Sequence, residues 1–90
     1  MRIEVPCVPP SVNRKPSRKF QSYFNDLTFP DGDLRVDIYI FATTRSGDID
    51  NRIKPVLDAM GVDQRKVAYI TARFFFAEKE RTVIEVSKWR

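Results

Sequence analysis

Two aspartates and a lysine form the segment of this sequence that is best suited to chemistry. Asp48 and Asp50 stand two residues apart, and Lys54 follows four residues beyond the second aspartate. Carboxylate oxygens are ligands that hard divalent cations such as Mg²⁺ prefer, usually together with water and substrate phosphate. The spacing therefore predicts metal-dependent chemistry on a phosphodiester. Because aspartate before a helix is also an ordinary capping residue, a helix cap is the alternative interpretation.

The positive charges of the chain are distributed in a way that suits a nucleic-acid substrate. Sixteen Lys and Arg against twelve Asp and Glu give a net charge of +4. The segment 9–20 carries four cations and no acid; they are Arg14, Lys15, Arg18 and Lys19. In a metal-dependent nuclease, cations of this kind hold the backbone while carboxylates hold the metal. A solvated loop beside a salt-bridged helix face is the alternative.

The composition excludes several other kinds of chemistry. Because the chain has no histidine, it offers neither imidazole catalysis nor a zinc site of the usual Cys/His type. Cys7 is the single cysteine, which excludes an intrachain disulfide and predicts a buried structural thiol in a reducing, cytoplasmic setting. We recognise no signal peptide and no apolar run near the roughly 18 residues of a membrane span, so we expect no membrane partner.

Hydrophobic periodicity predicts the elements that position these residues in a single domain, 1–90. We expect four strands, the last two paired as a closing β-hairpin; they are Arg2–Val8, Leu34–Phe41, Val67–Ala77 and Thr82–Trp89. The stretch Pro9–Gly32, which contains four prolines, has no sustained period and predicts a long loop. The predicted fold is α+β, a small mixed β-sheet with one helix packed across it.

The predicted helix begins near Asn51 and places the two aspartates at its N-terminus. Apolar residues from Ile53 to Met60 recur at helical spacing, and Gly61 suits a helix C-terminus. Asp48, Asp50 or Asn51 could cap the helix. Pro55 is tolerated only close to the helix start, which is consistent with this placement.

A second copy of the chain is expected to complete the core. A domain of 90 residues buries only roughly 60% of the surface that its unfolded chain exposes. With 12% aromatic residues, including the run 74–76 of three phenylalanines, the chain has more apolar surface than so small a core needs. We therefore predict a homodimer, intertwined or sheet-sharing.

Two separated motifs, in the right order, resemble those of the RusA family of Holliday junction resolvases. The segment 47–60, Gly-Asp-Ile-Asp-Asn-Arg-Ile-Lys-Pro-Val-Leu-Asp-Ala-Met, resembles the signature helix of that family. The segment 8–13, Val-Pro-Pro-Ser-Val-Asn, resembles the family's opening strand and turn. The resemblance implies a dimeric, Mg²⁺- or Mn²⁺-dependent endodeoxyribonuclease that nicks four-way DNA junctions symmetrically. It also implies a bacterial host cell, with a phage or prophage as the source.

The same resemblance implies roles for individual residues. Asp48 and Asp50 become metal ligands, and Lys54 becomes the essential lysine, which can stabilise charge on the phosphate or the leaving group. The residues expected to contact DNA are Asn13, Arg14, Lys15, Arg18, Lys19, Arg45 and Arg52.

This sequence departs from the family pattern at two places. The family has a third acid after the helix, and here Asp63 aligns with the first residue of that motif while Gln64 takes the place of the acid. Either Asp63 is the third catalytic ligand, or that ligand is missing and activity is weak or lost; Asp37 is another acid that could complete the site. The family also carries a helix between its first two strands, where this chain has only the proline-rich stretch. The alternatives to a nuclease are a RusA-like DNA-binding or regulatory module and an unrelated α+β interaction domain.

Overall fold

One mixed sheet of four strands carries the fold, and the computed structural model describes residues 1–10, 18–44 and 49–89. The strands are β1 (Arg2–Val5), β2 (Leu34–Ala42), β3 (Val67–Phe76) and β4 (Arg81–Lys88). Their order across the sheet is β1-β4-β2-β3. β4 is antiparallel to both of its neighbours, whereas β2 and β3 are parallel. A parallel pair needs a crossover connection, and a helix supplies it here.

Two helices accompany the sheet, and the longer one covers one of its faces. They are α1 (Arg18–Ser22) and α2 (Asp50–Met60), the latter being the crossover between β2 and β3. The buried residues Val56, Leu57 and Met60 of α2 share one core cluster with Ile38 of β2 and Ile84 of β4. The predicted α+β class, with a small mixed sheet and one main helix across it, is therefore confirmed. Within the described ranges, no helix has the length and apolar character to cross a membrane.

The predicted closing hairpin is wrong, because β2 lies between β3 and β4. The segment 77–80, Ala-Glu-Lys-Glu, contains no glycine or asparagine that would favour a tight hairpin turn. β4 buries Val83, Ile84 and Val86 and therefore gains most from a central position, whereas β3 has exposed residues on both faces. β3 therefore lies at the edge although its sequence is the more apolar of the two, and it leaves part of that apolar surface exposed.

The N-terminal third differs from the prediction in two further ways. β1 ends at Val5 instead of Val8, since Pro6 cannot donate a backbone hydrogen bond to the sheet. The predicted loop contains α1, in which Phe20 is buried and lies 5.4 Å, centroid to centroid, from the buried ring of Phe24. A helix of five residues is too short to produce a periodic signal, so the sequence could not predict it.

Asp37 lies on the face of the sheet that α2 does not cover. Its neighbours Val36 and Ile38 are in the core on the α2 side, so the carboxylate points the other way. It accepts hydrogen bonds from the Thr71 hydroxyl and from Arg35 Nε at 3.0 Å. The Thr71 hydroxyl, followed by the Arg35 guanidinium, lowers the pKa of Asp37. The suggestion that Asp37 completes a site at the start of α2 is wrong, because the sheet separates the two.

The lowered pKa of Asp37 predicts a specific dependence of stability on pH. A carboxyl group with a depressed folded-state pKa stabilises the fold above its unfolded pKa of about 3.9, and this contribution disappears as the pH falls through the folded value. Asp37→Asn should therefore be less stable than the parent at pH 7, and the difference should shrink at about pH 3. Urea unfolding of both proteins at the two pH values measures it. A difference that stays constant with pH would show that the charge of Asp37 is not stabilising.

Candidate active site

Asp50, at the start of α2, is the first predicted metal ligand in chain order that the structure describes. Asp50 is the first helical residue, and Ile49 occupies the N-cap position without a side-chain capping bond. The interpretation of Asp50 or Asn51 as the helix cap is therefore wrong. At the other end, Gly61 adopts the left-handed conformation (φ 70°) and donates its N–H to the carbonyls of Leu57 and Asp58, as predicted.

Asp50, Lys54 and Asp58 lie along one exposed face of α2, four residues apart. Lys54 Nζ is 3.5 Å from Asp58 Oδ2, and Asp58 Oδ1 accepts a hydrogen bond from Gln64 Nε2 at 3.2 Å. No described residue donates a hydrogen bond to the carboxylate of Asp50. The Asp50 carboxylate is thus available to a cation, with a lysine one helical turn away.

The carboxylate of Asp63 is hydrogen-bonded to Arg65, two residues further along the chain. It is the N-cap of a short 3-10 helix, Gln64–Lys66, and its Oδ1 accepts the backbone N–H of Arg65 at 3.0 Å. The Arg65 guanidinium donates to both carboxylate oxygens, at 3.2 and 3.0 Å. These bonds to Arg65 lower the pKa of Asp63. The carboxylate is charged and exposed, as a metal ligand must be, but it would have to release Arg65 to bind a cation.

Arg52 joins the two sequence motifs through a contact with a residue 43 positions earlier in the chain. Its Nη1 donates a hydrogen bond of 2.6 Å to the carbonyl oxygen of Pro9, which is buried. Pro9 belongs to the motif that follows β1, and Arg52 lies in the first turn of α2. The fold therefore places the Pro-Pro segment beside the helix start that carries Asp50. Arg52 was predicted to contact DNA, and the structure gives it a positioning contact within the protein.

Removing this contact should cost measurable stability. Arg52→Ala is expected to lower the free energy of unfolding by about 1.5 kcal/mol, because hydrogen bonds that involve a charged group contribute about 1.5–3 kcal/mol and this one is partly buried. Lys54→Ala is the matched control on the same helix; its i,i+4 pair with Asp58 is worth only about 0.3–0.5 kcal/mol. Chemical denaturation compares the two variants. Equal losses would show that the Pro9 contact does not fasten the N-terminal segment to α2.

The remaining predicted site residues divide into two groups. Arg18 and Lys19 are both exposed on α1, where they can reach a phosphate backbone. The other predicted residues lie outside the described ranges; they are Asn13, Arg14, Lys15, Arg45 and Asp48. Within residues 1–10, 18–44 and 49–89, no three acidic or cysteine side chains converge as a metal-binding group. The predicted trio includes Asp48, and so it stays a prediction.

Cys7 was predicted to be a buried structural thiol, and it is half-buried and unpaired in the structure. Burial raises the pKa of its thiol, which keeps the sulfur protonated and poorly nucleophilic. Its carbonyl accepts a hydrogen bond of 2.7 Å from the Thr82 hydroxyl on β4. These contacts assign Cys7 to packing at the end of β1.

Sequence reasoning missed three of these contacts and could have found one. The pairing of Asp63 with Arg65 is local, since an aspartate two residues before an arginine commonly forms such a turn. The contacts of Arg52 with Pro9 and of Gln64 with Asp58 join separate segments and have no local signal.

Comparison with known proteins adds no family assignment. No protein-family model matches the chain, and no curated protein matches it.

Proposed function

We propose that the protein is a divalent-metal-dependent endodeoxyribonuclease that cuts four-way DNA junctions by paired symmetric nicks. The observation that carries the proposal is the hydrogen bond from Arg52 to the Pro9 carbonyl. It holds Pro9, in the segment after β1, against the first turn of α2, so the described parts of the two motifs lie next to each other.

The residues at the start of α2 suit a Mg²⁺ or Mn²⁺ ion by their chemistry. Asp50 presents an exposed carboxylate without a described partner, and Asp48 precedes it by two residues in the sequence. Such a cation, when bound, polarises the phosphate and activates water. The N-terminal end of a helix favours negative charge, so both the carboxylates and the substrate phosphate are stabilised there.

The protein's own contribution to the reaction is the placement of charge. Water adds to phosphorus, the bond from phosphorus to the bridging ester oxygen breaks, and a proton passes to the departing alkoxide. Lys54 lies on the same exposed face as Asp50, and its ammonium group can offset the charge that grows on the phosphate oxygens. To do so, it must turn from Asp58, from which it is separated by 3.5 Å. That exposed pair is weak, so the movement costs little.

A labelled four-way junction tests the proposal directly. In Mg²⁺ or Mn²⁺ we expect two nicks placed symmetrically across the branch point, and no cutting of a linear duplex of the same sequence. A homodimer supplies two sites for the two nicks. Binding without cutting in both metals would contradict the nuclease proposal.

A junction-binding module without nuclease activity is the second candidate, and one observation favours it. Both residues at the position of the third acid are engaged in contacts within the protein, Asp63 with Arg65 and Gln64 with Asp58. The same assay separates the candidates, because this module shifts the junction on a gel and leaves both strands intact. Asp63→Asn refines the result. Unchanged cutting in that variant would show that two carboxylates suffice.

The exposed cations of α1 should contribute to DNA binding in either case. Replacing Arg18 and Lys19 by alanine is expected to lower the slope of log affinity against log salt by about 1.8, since each phosphate contact contributes about 0.9 on duplex arms. Replacing the exposed Lys79 and Lys88 is the control of equal charge. Equal slopes in the two double variants would exclude α1 from the DNA contact.

A further inference from the structure

The face of the sheet opposite α2 carries a continuous stack of rings and guanidinium groups. Arg81 lies over the Phe41 ring at 4.2 Å, and Phe41 stacks on Phe75 with centroids 5.1 Å apart. Phe75 stacks on Tyr39 at 6.5 Å, and Arg73 lies over Tyr39 at 5.8 Å. The stack crosses β4, β2 and β3 at one end of the sheet. We call the surface that contains it the outer face.

A second stack lies at the other end of the outer face. Trp89 and Tyr69 are parallel within 14°, with centroids 5.1 Å apart, and the Arg35 guanidinium lies 4.9 Å from the centre of the Tyr69 ring. Arg35 also donates to Asp37. Between the stacks and β1, a hollow of about 350 Å³ is lined in part by Arg2, Arg35 and Glu85.

This much aromatic surface is unusual on a face that no described helix covers. Tyr69 and Phe75 are each 39% exposed, and Trp89 is 40% exposed. α2 buries its apolar residues against the opposite face. Contiguous exposed apolar surface rimmed by polar groups marks an interaction site.

The arrangement of the rings distinguishes a protein partner from unpaired nucleotides. Bases bind a sheet by stacking on open ring faces. Here the faces of Phe41, Phe75 and Tyr39 are already covered by one another or by arginine, so the rings present their edges. The charges are also nearly balanced, which does not favour a polyanion; the cations are Arg2, Arg35, Arg73 and Arg81 and the acids are Glu4, Asp37 and Glu85.

We infer that the outer face is the surface through which two copies of this chain pair. This inference rests on the homodimer included in the proposed function and names its interface. Four strands spaced about 4.8 Å apart and averaging about 26 Å in length give a projected area of about 500 Å², and the corrugated accessible area is larger. A stable interface needs about 800 Å² of accessible surface from each partner. The whole outer face would therefore have to take part in such an interface.

Charges on the outer face indicate how the two copies would be oriented relative to each other. The sheet register places Glu4, Val83, Tyr39 and Arg73 in one row across the four strands. A two-fold axis parallel to the strands reverses the strand order of the second copy. Glu4 on β1, which already accepts a hydrogen bond of 2.8 Å from Arg81 of its own chain, then also faces Arg73 of the partner subunit on β3, and each contact occurs twice. The outer face is in this sense complementary to itself.

Analytical ultracentrifugation of the wild-type chain and of Phe75→Glu tests the inference. We expect a dimer that Phe75→Glu weakens at least about 100-fold, since a two-fold interface carries the substitution twice and loses an aromatic anchor each time. Tyr23→Glu is the control, because Tyr23 is 37% exposed and lies just beyond α1, away from the sheet. Circular dichroism establishes that each variant is folded. Should Phe75→Glu fail to fold, the exposed Arg73→Glu takes its place.

Charge exchange provides a second and sharper readout. Arg73→Glu should weaken the dimer, and Glu4→Arg combined with Arg73→Glu should restore part of the loss, since Glu4→Arg also removes the partner of Arg81 within the chain. A wild-type chain that is monomeric at tens of micromolar, or a dimer that neither Phe75→Glu nor Arg73→Glu weakens, would overturn the inference. Binding of a single-stranded oligonucleotide that is lost in Phe75→Glu, with a monomeric wild type, would assign the face to nucleic acid instead.

The nuclease proposal can fail separately from this inference. A dimer that uses the outer face and never cuts a junction contradicts the proposed function alone. A protein that cuts junctions and dimerises through another surface contradicts the interface alone.

Discussion

Asp50→Asn is expected to abolish junction cleavage while junction binding persists or tightens. The substitution removes a negatively charged metal ligand from the exposed start of α2 but keeps the shape of the side chain. A metal ligand that supports several kcal/mol of transition-state stabilisation should reduce the rate at least about 100-fold when it is lost. Binding should not suffer, because removing negative charge favours a polyanion. Single-turnover cleavage and gel-shift titration measure the two effects.

Asp58→Asn is the matched control for this experiment. Asp58 lies two helical turns from Asp50 on the same exposed face and changes the net charge by the same amount. It contacts Lys54 and Gln64 and has no predicted role at the metal. If both variants lose activity equally, the rate depends on the overall charge of the helix. If both retain full activity, the reaction does not need a ligand at position 50.

The second large effect is a loss of stability, expected when a buried side chain of the central strand is shortened. Ile84→Ala should lower the free energy of unfolding by about 3 kcal/mol, because the side chain is fully buried on the central strand β4 and its removal leaves a cavity. Ile70→Ala makes the same chemical change on the edge strand β3, where the side chain is 38% exposed. We expect a loss of about 1.5 kcal/mol there, because the side chain is only partly buried and its removal leaves no enclosed cavity.

Urea unfolding of the two isoleucine variants therefore tests the strand order itself. In the predicted hairpin, β3 would lie beside β4, and Ile70 and Ile84 would be comparable residues of neighbouring strands. In the observed order, β2 separates them and only Ile84 is enclosed on both sides. Similar losses in the two variants would contradict the observed order.

Local signals predicted the elements well and their arrangement poorly. The spacing of Val56, Leu57 and Met60 predicted α2 and its buried side, and Gly61 predicted its end. The alternation along β2 predicted the strand and its apolar face. Adjacency in the sheet depends on which strand buries most, and this is a property of the whole core. The position of β4 between β1 and β2 therefore had no local signal.

In the candidate site too, local features could be predicted from the sequence and contacts between distant segments could not. Aspartates near a helix start could be predicted from residue types, and the structure gives Asp50 the exposed position that the prediction requires. The wrong interpretation was that Asp50 or Asn51 caps the helix, because the backbone begins its helical turn one residue earlier, at Ile49. The link from Arg52 to Pro9 could not be predicted, since it depends on how the segment after β1 docks on α2.

The place of β4 in the sheet has a consequence for biosynthesis. β4 is the last strand in chain order, yet it is the strand that joins β1 to β2. At 5–20 residues per second, the ribosome needs about 4–16 s to pass from β1 to the end of β4. Throughout that interval Ile3 and Val5 have no strand beside them. Before β4 is made, the nascent chain can form the helices and the parallel pair of β2 and β3, while β1 and one edge of β2 stay unpaired and open to chaperones and to aggregation. A chain that ends before Arg81 would therefore lack the strand that joins β1 to β2.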